Sequence, residues 1–154
     1  MAVAPTILSG LAGGAVTTGP ARPEVCVGAI AKEGGRLLLV KRGHPPDAGL
    51  WSVPGGRVQA GETLAEAVVR ESAEETGLDV MCGDLVGWVE RIVAPHHFVI
   101  LDFAVTVLGV GDPVAGDDAA DVAWVDLHEL PGIPLVEGLG RFLTDHGVLG
   151  PLLP

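Results

Sequence analysis

The stretch GRVQAGETLAEAVVRESAEETGL, residues 56–78, joins a glycine-rich loop to a helix. Thr63 followed by Glu66 matches a capping box, in which the hydroxyl and the carboxylate satisfy the free backbone donors of a first helical turn. Gly77 supplies a left-handed stop, so the spacing predicts a helix between Thr63 and Gly77. Ala65, Val69, Ser72, Ala73 and Thr76 fall on one side, a small-residue face suited to lie close against a sheet, and the other side is charged. Successive helix residues turn by about 100°, so Arg70, Glu71, Glu74 and Glu75 share an arc of about 140°. Like charges so spaced oppose the helix unless a cation sits among them, and hard divalent cations prefer such oxygen ligands. Taken alone, the face reads as a solvated one, since Glu66 with Arg70 and Arg70 with Glu74 are ordinary i,i+4 pairs. Gly55 and Gly56 shift the balance, because they let backbone come close to bound metal or phosphate.

Upstream, Val25 to Ala31 and Arg36 to Val40 are apolar β-prone runs separated by Lys32-Glu33-Gly34-Gly35, which predicts a hairpin. A polar loop through His44, Pro45, Pro46, Asp47 and Gly49 leads to a short extended segment, Trp51 to Val53, ended by Pro54, Gly55 and Gly56. Downstream come two long β-rich stretches, Val80 to Val93 and His96 to Val107, then an acidic loop from Gly109 to Ala119. Asp121 to Val125 reads as a strand, Leu127 to Leu130 as a helical turn and Leu135 to Asp145 as a closing helix. Strands and helices alternating irregularly predict an α/β layer arrangement around a mixed sheet.

The chain has 154 residues, enough for one core, and 48% of them are apolar with few aromatics, so Ala, Val and Leu must do the packing. A formal charge of −11 argues against a nucleic-acid or anionic membrane partner, so a phosphate-bearing substrate would need a metal to mediate. Cys26 and Cys82 form no CxxC pair, which fits a cytoplasmic setting, although one disulfide between them stays open. Residues 1–23 hold no basic residue ahead of their apolar stretch and are broken by glycines. They read as a flexible or partner-pairing arm before a domain over residues 24–154, rather than as a secretion signal.

Residues 56–78 resemble the Nudix box, G-x5-E-x7-R-E-U-x-E-E-x-G-U, where U is a bulky aliphatic residue. Gly56, Glu62, Arg70, Glu71, Glu74, Glu75, Gly77 and Leu78 fit, and Ser72 departs, its hydroxyl expected to bond back to the preceding turn. The Leu37 to Arg42 strand, the Leu50 to Gly56 approach and Ala123-Trp124-Val125 are also similar to small members of the family.

The resemblance implies an α/β/α sandwich with a central mixed sheet and a pyrophosphohydrolase activity on a nucleotide-type substrate. It implies Mg²⁺ or Mn²⁺ held by Glu71, Glu74 and Glu75, with the Gly55 carbonyl a further ligand and Arg70 positioning the carboxylates. Glu62 is expected to shape the loop. Asp117 and Asp118, in Gly116-Asp117-Asp118, read equally as a polar turn or as the source of a further ligand or general base, with Asp118 the residue chosen. Arg57 and Arg42 are candidates for phosphate oxygens, and Trp51 for stacking on a base, beside the alternative that it is simply packing. Pro95 lies where ADP-ribose-cleaving relatives often carry a proline, so ADP-ribose is one expected substrate. A nucleoside triphosphate is the alternative, a non-catalytic nucleotide sensor a third, and a homodimer is compatible with the arm.

Overall fold

The computed structural model describes residues 22–150. Of the expected arm only Arg22 and Pro23 fall within them. Strands β1 (Glu24–Glu33) and β2 (Arg36–Arg42) meet through Gly34 and Gly35 at φ 57° and 73°, the positive values that a tight two-residue hairpin turn demands. The hairpin is present, yet only its turn end pairs, Lys32 with Leu37 and Glu33 with Arg36. Beyond that point the strands part. β1 runs parallel to β6 (His96–Val107) and antiparallel to β4 (Gly55–Arg57). β2 pairs with β3 (Trp51–Ser52) and β7 (Ala119–Asp126). β5 (Val80–Val93) pairs with β6, giving the order β3-β2-β1-β6-β5 and a mixed sheet.

Alternating strand residues feed two cores. Val27 and Ala29 pack on Ala67 and Val68 of helix α1 (Leu64–Thr76), with Ala31 and Leu38 meeting Leu78 beside them. On the opposite side Ile30, Leu37 and Leu39 pack on Leu139, Phe142 and Leu143 of helix α2 (Leu139–Asp145). Leu37, Leu39 and Leu143 are fully buried, each contributing about 2 kcal/mol by removal from water. The sheet is thus sandwiched between two helices.

The local signals around α1 hold. Thr63 Oγ1 accepts from the Glu66 N–H at 3.1 Å, Glu66 Oε2 accepts from the Thr63 N–H at 2.9 Å, and Gly77 closes the helix at φ 70°. The buried face coincides with the expected one only at Ser72 and Thr76. Ala65, Val69 and Ala73 are exposed, and the buried residues are Ala67, Val68, Ser72 and Thr76. At about 100° per residue, Glu71 and Glu75 lie inside the arc from Ala67 to Thr76, so these two carboxylates project toward the sheet rather than away from it.

Ser72 also departs from expectation. Its Oγ is buried with no partner, and the back-bond to the helix comes instead from Thr76 Oγ1, donated to the Ser72 carbonyl at 2.6 Å. An unpaired buried hydroxyl costs stability. Ser72→Ala should therefore raise the unfolding free energy by about 1 kcal/mol, read as a higher urea midpoint. A lower midpoint would mean the hydroxyl has a partner after all.

Two further boundaries shift for tertiary reasons. The Trp51 strand does end before Pro54, but Gly55 begins a further strand, β4, lying so close to β1 that a Cβ would stand 2.2 Å from the Val27 carbonyl oxygen. The closing helix starts at Leu139 and not Leu135. The Trp51 N–H donates to the Pro134 carbonyl and the Val136 N–H to the Trp51 carbonyl, at 2.8 and 2.9 Å, so this backbone is spent on pairing with β3. The expected helical turn falls at Leu130–Gly132, just beyond the turn at Leu127 to Glu129. Cys26 and Cys82 are both free. Among the described residues no helix is long and apolar enough to cross a membrane.

Candidate active site

Arg70 ties the loop to the helix. Its Nε donates to Glu62 Oε2 at 3.0 Å, Nη2 to the Arg57 carbonyl at 2.9 Å, and Nη1 to Glu71 Oε1 at 2.8 Å and Glu74 Oε2 at 3.2 Å. The Gln59 N–H donates to Glu62 Oε1 at 2.8 Å. The Arg70 guanidinium and then this N–H hold the Glu62 carboxyl down to about 2. Glu62 is therefore more than the loop-shaping residue expected, being a main counter-ion of Arg70.

β4 covers the two inward carboxylates. A Cβ on Gly56 would lie 2.5 Å from the Glu71 carboxylate carbon, so only glycine leaves room for it. The Gly55 N–H donates to Glu75 Oε2 at 3.1 Å. Burial pushes Glu75 up to about 8, against the Gly55 hydrogen bond and with Glu71 adding to the rise. Burial raises Glu71 as well, although Arg70 opposes it. Two neighbouring carboxyls are thus held where negative charge is poorly solvated.

Among the described residues, no three Asp, Glu, His or Cys side chains converge closely enough to hold an ion as they stand. The Arg70 guanidinium engages both Glu71 and Glu74. The Glu74 side chain is 58% exposed and has room to turn inward. The donors are hard carboxylate oxygens in a cradle that a Cβ would fill, and that set fits a divalent cation.

The cleft over these glutamates has a volume of about 370 Å³ and also takes in Arg42, Arg57 and Asp118. Asp118 stands at its rim, 95% exposed and 3.9 Å from His44 Nε2, a neighbour brought there by the fold. Arg57 is partly committed to Glu24 at 3.1 Å. Arg42 donates from Nε to the Pro46 carbonyl at 2.9 Å and borders a second cleft too. Trp51 lines neither cleft. It packs, partly buried, against the α2 core, in line with the packing alternative and not with its candidacy as a stacking residue.

The second cleft, about 460 Å³, shares Arg42, Ser52, Gly55 and Gly56 with the first. Its floor holds Asp102, a residue absent from the sequence-based candidates, 4% exposed and with Oδ1 unpaired. Burial pushes its carboxyl up to about 6. A raised carboxyl favours the fold most below its ordinary value of 3.8, and that contribution is lost as pH rises through about 6. The loss for this group is at most about 3 kcal/mol. Asp102→Asn should consequently melt higher than wild type at pH 8 and differ little at pH 4; equal melting temperatures at pH 8 would contradict the strained carboxylate.

Half-buried helix carboxylates beneath a glycine cradle, on a mixed sheet between two helices, are the architecture of the Nudix class. The NUDIX domain family matches residues 20–145. An ADP-ribose pyrophosphatase of Methanocaldococcus jannaschii is 40% identical over 111 residues, 71% of this chain and 65% of that protein. The match thus spans slightly less than two thirds of the archaeal relative. A Mycobacterium tuberculosis protein provisionally named 8-oxo-dGTP diphosphatase 2 is 40% identical over 74% of this chain and 82% of its own. The MutT NUDIX hydrolase of Burkholderia pseudomallei superposes with a TM-score of 0.73 at 33% identity, over 80% of this chain and 98% of that one. The chain belongs to the NUDIX family.

Proposed function

We propose that the protein hydrolyses the diphosphate linkage of a nucleoside diphosphate derivative, with ADP-ribose as the preferred substrate, in a reaction that depends on Mg²⁺ or Mn²⁺. The observation that carries this reading is the pair Glu71 and Glu75 half-buried beneath Gly55 and Gly56. Glu71, Glu74 and Glu75 with the Gly55 carbonyl would hold the cation. Bound there, it supplies charge neutralisation for the diphosphate and acidifies the attacking water.

The protein's own groups do the rest. Arg70 fixes Glu71 relative to the loop through Glu62, so the carboxylates keep their spacing. Arg42 and Arg57 border the cleft and contact phosphate oxygens. Asp118, a carboxylate at the rim of that cleft, would accept the proton of the water that attacks phosphorus, as the opposite phosphate leaves. ADP-ribose and water thereby give AMP and ribose 5-phosphate. The archaeal relative's name supports this substrate.

A second reading is MutT-like cleavage of a nucleoside triphosphate, favoured by the mycobacterial relative at the same 40% identity. Incubating the protein with ADP-ribose and with nucleoside triphosphates, with and without Mg²⁺, separates the two by product. Metal-dependent AMP from ADP-ribose supports the first, and a monophosphate with pyrophosphate supports the second. Nucleotide binding without turnover would replace both with a sensor.

A further inference from the structure

We propose that Asp102 reads the nucleobase of the substrate by accepting a hydrogen bond from an exocyclic amino group. The proposal rests on the reading of this protein as one that binds nucleotides, and it adds a specificity-determining residue outside the box.

Strand register places it. Asp102 in β6 lies opposite Gly28 in β1, and Gly28 lies opposite Gly55 in β4. Two strand spacings of about 4.8 Å put the Asp102 and Gly55 α-carbons about 10 Å apart. Gly55 in turn bonds Glu75, so a ribose and one base ring can bridge from a diphosphate at the glutamates to a base at Asp102.

The surroundings favour a flat, mostly apolar ligand. Phe98, Ile100, Val89 and Phe142 form walls of the cleft, and in such a site one well-placed polar group fixes orientation. Gly28 keeps the carboxyl in place, because a Cβ there would stand 1.9 Å from Asp102 Oδ1. The other polar groups bordering the cleft are engaged or peripheral. Arg91 pairs with Asp47 at 2.7 Å, the Ser52 hydroxyl donates to the Val53 carbonyl at 3.2 Å, and Glu137 is exposed. Asp102 alone among them is buried and without a partner. A buried acceptor unpaired in the free protein weakens the fold, and a ligand N–H turns that cost into selectivity. Adenine and guanine both carry such a group, and hypoxanthine carries none.

The test compares kcat/KM within two pairs, ADP-ribose against its hypoxanthine counterpart, and GTP against ITP. In whichever pair the wild type hydrolyses, the amino-bearing member should be preferred about 10- to 100-fold, the value of a hydrogen bond to a charged group. Asp102→Leu should bring the ratio to about one while turnover of the hypoxanthine member persists. Asp102→Asn, which keeps the shape and can donate to the hypoxanthine oxygen, should narrow it, and this variant carries the test should the leucine variant not fold. A wild-type ratio near one, or a ratio unchanged in the folded variants, overturns the proposal. If the wild type hydrolyses neither pair, the activity reading fails on its own. Calorimetric binding of ADP against IDP and of GDP against IDP to wild type and Asp102→Asn then decides Asp102 by the same ratios.

Discussion

Glu75→Gln is expected to lower turnover by about three orders of magnitude while the metal-free variant melts at a higher temperature than the wild type. Both effects come from one half-buried carboxyl. Glu75 lies under β4, accepts the Gly55 N–H, and is pushed by burial up to about 8. The unfolded chain ionises this group near 4.5. Its contribution to stability is therefore complete below that value and is lost as pH rises toward 8. Glutamine keeps the shape and the acceptor for Gly55 without the ionisation, so at pH 8 the variant escapes the loss. It also removes the negative charge that the proposed cation needs. Added Mg²⁺ or Mn²⁺ should raise the melting temperature of the wild type in the presence of nucleotide and leave the variant unmoved. Near-normal turnover, or an equal metal-induced shift in the variant, would remove Glu75 from the assigned role.

What could be read in advance follows the range of the forces involved. The capping box of Thr63 and Glu66 and the stop at Gly77 are local devices, formed from residues within one turn of each other, and they stand where the sequence placed them. β5 and β6 likewise keep their expected bounds, since long apolar runs flank a short break at Ala94 and Pro95. The face of α1 was not legible in this way. Alanines and valines occur around its whole circumference, so periodicity gives little contrast. The two acids inside the buried arc count as polar in any pattern, although their place under β4 is what makes them chemically distinctive.

Contacts between distant segments hid the remainder. Gly55 and Gly56 look like strand breakers until Val27 and Gly28 lie beside them, where the absence of side chains is what permits pairing. Stacking and packing stay open for Trp51 until the 134–136 segment pairs with its backbone and the α2 core takes its side chain. Asp102 is one acid in an apolar strand, and alternation alone says neither that it points inward nor that Gly28 leaves space for it. A single carboxylate within an otherwise apolar run, paired with a glycine in another predicted strand, was the available signal.

Gly56→Ala and Gly55→Ala should separate the chemistry of the cradle from its architecture, although the two glycines are neighbours. The methyl at position 56 would meet the end of a flexible side chain, 2.5 Å from Glu71 Oε1. Glu71 can turn aside at little cost to the fold, but its carboxylate then leaves the place where Arg70 and β4 hold it. A displacement of about 1 Å in a positioned group costs about 100-fold in rate, so this variant should lose activity to that extent with its melting temperature within a few degrees of wild type. The methyl at position 55 would instead meet backbone, 2.2 Å from the Val27 carbonyl oxygen and 2.9 Å from the Gly28 α-carbon. Relief there requires β4 to separate from β1, which breaks strand hydrogen bonds and uncovers Glu75, so Gly55→Ala should unfold at a markedly lower temperature. Measuring kcat and thermal melting on both variants distinguishes the two effects. Full activity in a well-folded Gly56→Ala protein would show that the position of the Glu71 carboxylate does not set the rate.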